Sequence, residues 1–219
     1  THKRHTQMGV MMDFAGKQLT IADTFDSMHF LIRLALLLTC IGVPSTMLAG
    51  ELIIDDRSSG DLKSSLGTEW RLVTDTVMGG VSSGDLDIHR HHGKSCLRMR
   101  GDVSTENNGG FVQIALSLSD NGAFDASVYS GVELDISGNN ERYNIHFRTS
   151  GLWFPWQSYR SSFIAGTDWQ TIRIPFSGLE AYKTTRNFRP GKLERIGLVG
   201  IGRDFQAELC LASIRFYTE

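Results

Sequence analysis

A chain of 219 residues with 41% apolar and 21% charged residues can bury a core and is not a disordered polypeptide. Its formal net charge of -2 leaves no electrostatic footprint for nucleic acid. Three cysteines are too few for a disulfide-built scaffold, and 23 glycines against 4 prolines suit a fold rich in turns.

The first 50 residues read differently from the rest. Residues 1–27 carry no repeating apolar pattern and are expected to be a disordered or non-native leader. Residues 28–50 have the three parts of a secretory signal: Arg33, then the apolar run Leu34 to Val43, then Pro44-Ser45 and the small pair Ala49-Gly50. The run falls short of the roughly 20 apolar residues of a stable membrane span. A retained anchor of the same topology is the alternative. Export predicts one mature domain over 51–219 in a periplasmic, envelope or secreted compartment. Cys40 lies inside the signal. Cys96 and Cys210 could pair in an oxidising compartment or stand as two separate buried thiols, since spacing does not fix their distance.

From Glu51 onward the dominant period is two. Leu86 to His89, Leu97 to Arg100, Val112 to Leu118, Val132 to Ile136, Tyr143 to Arg148 and Trp169 to Ile174 each alternate apolar and polar residues. Each therefore places one face on a core and the other in water. Ile196 to Ile201 and Leu209 to Tyr217 add two further apolar runs. Turn signals separate them, among them Ser83-Gly84, His92-Gly93, Asn121-Gly122 and Ser137 to Asn140. Short helices are expected near Ser58 to Leu66 or Ser177 to Tyr182. Many short strands at this spacing predict an all-β fold, a two-layer antiparallel β-sandwich of the jelly-roll kind.

Two segments stand apart from this alternation. Trp70 to Ser82 contains Asp75-Thr76-Val77-Met78-Gly79-Gly80-Val81-Ser82, and Gly101 to Phe111 contains Asn107-Asn108-Gly109-Gly110-Phe111. Paired glycines allow close backbone approaches, and Asp75, Ser82, Asn107 and Asn108 can fix such loops through their own backbone. In this order the two segments resemble the complex I intermediate-associated protein 30 family. Gly131 to Leu134, Arg142-Tyr143, Trp169 to Phe176, Ile196 to Leu198 and Leu211 to Tyr217 continue the likeness. The resemblance implies a galactose-binding-like jelly roll over roughly Ile54 to Tyr217. It also implies the role of the mitochondrial members, assembly factors of respiratory complex I. An exported protein would reach only the membrane arm of that complex, because the peripheral arm faces the cytoplasm, so the family implies the fold more firmly than the partner.

Candidate chemistry is sparse. Asp75, Asp102 and Glu106 are acidic, but general acid–base work needs a geometry that no motif here guarantees, and Asp75 reads as a loop-capping acceptor. His89-Arg90-His91-His92 reads as a solvated turn rather than a metal site. No catalytic residue, metal or cofactor is expected. Trp153-Phe154-Pro155-Trp156-Gln157-Ser158-Tyr159, flanked by Arg148 and Arg160, is either an aromatic binding surface or a set of core plugs. The candidate binding residues are Asp75, Met78, Gly79, Gly80, Ser82, Asn107, Asn108, Gly109, Gly110, Arg148, Trp153, Trp156 and Tyr159. They suit a non-catalytic protein that binds a protein partner, such as a respiratory or other membrane-complex subunit. The alternative is a carbohydrate-binding module; nucleic acid is not expected.

Overall fold

Each run of two-residue alternation and each of the two later apolar runs forms a strand, and four further strands join them. A computed structural model describes residues 50–219; the expected leader at 1–27 and the export segment, apart from Gly50, lie outside the described residues. The strands are β1 (Leu52–Asp55), β2 (Trp70–Thr74), β3 (Ser83–His91), β4 (Lys94–Val103), β5 (Phe111–Ser117) and β6 (Gly131–Gly138). They continue as β7 (Glu141–Thr149), β8 (Ser158–Ala165), β9 (Gln170–Pro175), β10 (Glu180–Tyr182), β11 (Leu193–Ile201) and β12 (Phe205–Tyr217).

All pairings are antiparallel and form two six-stranded sheets. The first runs β3-β4-β12-β6-β9, with β1 beside the far half of β12. The second runs β10-β8-β7-β11-β5-β2. Strand β12 pairs with β4 through its first half and with β1 through its second, while β6 holds its other edge. Between the sheets, Leu97, Met99, Leu134, Leu209 and Ile214 meet Trp70, Ile114, Ile145, Phe147 and Leu198, all 0–1% exposed. This is the buried half of the alternation, closing a jelly-roll sandwich.

Neither expected helix forms. In the first segment two backbone carbonyls are taken by a side chain: Arg57 donates through Nη1 to Asp61 O and through Nη2 to Lys63 O, both at 3.0 Å. Arg57 in turn is held by Asp55, which is 1% exposed and also accepts from Trp70 Nε1 at 2.6 Å. A buried acid and base thus stay paired and hydrogen-bonded, as burial demands. The second segment becomes a single 3₁₀ turn at Phe176–Gly178 followed by β10.

Strand registers sort the connections to two ends. Phe111 pairs with Ile201 and Thr74 with Val112, so the connections 75–82, 104–110 and 202–204 share one end. Leu193 pairs with Thr149 and Tyr182 with Ser158, so 150–157 and 183–192 share the other.

Candidate functional site

At the first end, one carboxylate organises two loops. Asp75 follows β2 and opens a 3₁₀ turn over Asp75–Met78, with its side chain turned inward and no exposure. Its Oδ1 accepts from Ser82 N at 2.9 Å, and Oδ2 accepts from Ser82 Oγ at 2.5 Å, from Gly110 N, and from Phe111 N at 3.3 Å. Burial alone would push this carboxyl up; donation from Gly110, Ser82 and Phe111 outweighs it and holds Asp75 below the usual carboxylate range. A Cβ on Gly80 would come within 2.8 Å of Asp75 Cβ, and one on Gly109 would lie 2.8 Å from its Cγ. Both glycines are therefore required by close approach to the carboxylate.

The rest of this end completes the clasp. Ser104 N donates to Ser82 Oγ at 3.0 Å, Asp204 accepts from Thr105 N at 2.6 Å, and Gly202 N donates to Gly110 O at 2.9 Å. Asn107 and Asn108 take left-handed conformations (φ 56° and 59°) that turn the chain into Gly109. Asp75, Gly80, Ser82 and Gly110 are thus buried in the fold, whereas Val77, Met78, Gly79, Val81, Asn107 and Asn108 face solvent. Asp102 and Glu106 are exposed and Asp75 is saturated with donors, so these acids do not share one site.

The opposite end carries the aromatic loop between β7 and β8. Trp153 is 77% exposed, Phe154 48% and Trp156 50%, so they are not core plugs. Phe154 and Trp156 stack at 4.9 Å with 6° between planes, and the Arg186 guanidinium lies 5.0 Å from the Trp153 ring. Two polar side chains hold the loop. Arg148 Nη1 lies 2.8, 3.0 and 2.6 Å from the carbonyl oxygens of Phe154, Pro155 and Gln157. Gln157 Oε1 accepts from Trp153 N and Phe154 N at 3.1 Å, and its Nε2 donates to Lys183 O at 3.0 Å. Between the loop and residues 183–186 lies an open depression of ≈ 570 Å³ lined by Trp153, Phe154, Gln157, Lys183, Thr184 and Arg186.

The sequence-derived residues therefore divide. Asp75 to Ser82 and Asn107 to Gly110 meet at one end; Trp153 and Trp156 stand at the other, with Arg148 beneath them as a support. Tyr159 is 2% exposed, its hydroxyl donating to Asn187 O at 3.0 Å, and belongs to the core. Lys183 and Arg186 escaped the sequence reading because a cation in a loop is usually a solvated side chain. The His92-Gly93 tip turns with both residues at positive φ (43° and 83°), as a two-residue hairpin requires. Its histidines are not simply solvated: His91 stacks on His92 at 4.0 Å and meets Trp169 edge-on at 5.8 Å. Among the described residues no three His, Cys, Asp or Glu side chains gather as a metal site would need.

Cys96 on β4 and Cys210 on β12 are joined, with Cα atoms 5.4 Å apart. Alternation puts them on the solvent side of their sheet, opposite the core positions Leu97 and Leu209. On the outer side of the second sheet, His146 pairs across to Gly197 and Arg160. Burial, and secondarily the charge of Arg160, push its imidazole down to about 4. Folded, His146 is neutral where the unfolded chain would already be protonated, so stability falls as the pH drops from 6.5 toward 4. The expected slope approaches about 1.4 kcal/mol per pH unit. His146→Gln should flatten that part of a stability–pH curve measured by urea denaturation; an unchanged slope would contradict the assignment.

Comparison with known proteins places these observations. Residues 61–210 match the family described as complex I intermediate-associated protein 30. The chain belongs to that family. No curated protein matches the sequence. Among solved structures, the family 11 carbohydrate-binding module of the cellulosomal cellulase Lic26A-Cel5E of Clostridium thermocellum is 17% identical with a TM-score of 0.61. That match covers 78% of this chain and 95% of the module. The Clostridium thermocellum family 11 module in complex with a β-1,3-1,4-mixed-linked tetrasaccharide gives 17% and 0.59, covering 77% and 96%. A family 30 carbohydrate-binding module gives 19% and 0.55, covering 77% and 88%. At these identities the likeness shows the fold, a galactose-binding-like jelly roll.

Proposed function

We propose that this family member is a non-catalytic binding protein of the assembly-factor kind, holding a protein partner on the aromatic loop at 153–156. The observation that carries the reading is three large aromatic side chains, 48–77% exposed, held in place by Arg148 and Gln157 rather than by a core. Large exposed aromatics on a rigid support are the usual anchors of protein interfaces, and pre-organisation lowers the entropic cost of binding. The family description names association with a complex I intermediate. A subunit of a respiratory or other membrane complex is the partner it suggests. The Cys96–Cys210 disulfide supports an exported, oxidising location, where such a subunit would be met on its outer side.

Crosslinked affinity capture of the tagged protein from its native envelope, analysed by mass spectrometry, tests this. The wild type is expected to enrich subunits of a respiratory or other membrane complex. Trp153→Ala/Trp156→Ala should reduce that capture at least about tenfold. Full capture by the folded double variant would exclude the aromatic loop as the docking site.

The second reading is a carbohydrate-binding module, favoured by the exposed Trp153 ring beside the polar Gln157 and Thr184 and by the fold shared with such modules. Its signature is saturable tryptophan quenching by a polysaccharide. No response across cell-wall and storage polysaccharides would remove it.

A further inference from the structure

Charge is unevenly distributed around the aromatic loop. The whole chain carries a net charge of -2, yet residues 183–195 hold Lys183, Arg186, Arg189, Lys192 and Arg195 against Glu194 alone. Lys183, Arg186 and Arg189 are exposed, and none makes an ion pair with another described residue. The lining of the depression contains both of its nearest cations, Lys183 and Arg186, and no carboxylate. Among the described residues, no carboxylate therefore pairs with the cations of the depression.

We propose that the depression takes an acidic segment of the partner protein, with carboxylates on Lys183 and Arg186 and an apolar side chain against Trp153 and Phe154. The proposal rests on the reading that the aromatic loop is the docking site and names the chemistry of what docks. Arg186 lies against the Trp153 ring at 5.0 Å, which fixes the guanidinium while its N–H edges remain available for a carboxylate. Gln157 bonds both walls, donating to Lys183 O and accepting from the Trp153 and Phe154 amides, so the depression exists before anything enters it. A neutral glycan would use the rings and leave two cations uncompensated. A flat bilayer would touch the loop tip and leave the depression unfilled. An extended acidic segment fills it and meets both features.

The test follows the intrinsic tryptophan fluorescence of the whole protein during titration with a synthetic peptide of glutamates flanking one phenylalanine. The same peptide with lysines for glutamates, polygalacturonate, and phosphatidylserine-containing phosphatidylcholine vesicles are titrated in parallel. The acidic peptide alone should give a saturable change, weaker with added salt and about tenfold weaker in Lys183→Gln/Arg186→Gln. No response to the acidic peptide, equal binding of the lysine peptide, an unaltered double variant, or a response confined to polygalacturonate or to vesicles would overturn the proposal. Envelope capture separates the two readings. If Lys183→Gln/Arg186→Gln captures normally while Trp153→Ala/Trp156→Ala does not, the acidic-segment proposal falls and the docking site stands. If both variants capture normally, the docking site falls with it.

Discussion

Asp75→Asn is expected to destabilise the protein by about 2–4 kcal/mol without touching any residue of the aromatic loop. The wild-type carboxylate receives four donors from Ser82, Gly110 and Phe111, and every one of its contacts asks for an acceptor. An amide keeps the shape but turns one oxygen into a donor, so in either orientation a buried N–H meets another donor. Losing a buried hydrogen bond while leaving its partner unsatisfied costs more than the bond itself contributed. The effect also has a pH signature. Asp75 binds its proton less readily folded than unfolded, so its stabilisation is complete above the ordinary value of 3.8 and is lost as the pH falls below it. Urea denaturation at neutral and at acid pH checks both points. The variant should lose stability at neutral pH and lose less of it on acidification than the wild type.

Removing the disulfide should have the larger effect. Cys96 and Cys210 are separated by 114 residues, and a link of that span removes about 4–5 kcal/mol of loop-closure entropy from the unfolded state. Against the roughly 5–15 kcal/mol that holds an ordinary domain folded, that is a large share. The link also joins β4 to β12, the strand on which β1, β4 and β6 all depend for pairing. Cys96→Ala/Cys210→Ala is expected to move the urea midpoint down by an amount matching that loss. Reductant should do the same to the wild type and nothing further to the variant. A midpoint indifferent to both would show that the cysteines do not secure the fold.

The sandwich was legible because its strands are half-buried. Wherever a strand shows one face to the core and one to water, as Thr171 to Ile174 does, the period of two is written in the sequence. Strand β8 was missed because Ser158-Tyr159-Arg160-Ser161-Ser162-Phe163 has polar residues at most positions, with Tyr159, Phe163 and the small Ala165 marking its buried side. Strand β2 hid inside the motif that ends in Asp75. Strand order was out of reach, because β12 draws its neighbours from residues more than 100 positions away as well as from β6.

The candidate site was half legible. The reading of Asp75 as a capping acceptor was sound, since a carboxylate beside paired glycines has backbone amides within reach. The motif loops and the aromatics stood together as candidate binding residues, and strand register separates them to opposite ends. Arg148 looked like a fork for a ligand; its donors go to three carbonyls of the loop it supports. Lys183 and Arg186 gave no signal, because what distinguishes them is the ring and the side-chain amide that sit beside them.

The clasp around Asp75 and the aromatic surface proposed to hold a partner lie at opposite ends of the sandwich, and one crossed comparison tests their separate roles. Thermal melting and envelope capture per folded molecule would be measured on Asp75→Asn and on Trp153→Ala/Trp156→Ala. The first variant is predicted to melt lower and still capture, and the second to melt like the wild type and fail to capture. An Asp75→Asn protein that melts normally yet loses its partner would contradict the account, and would place recognition at the glycine-rich loops instead.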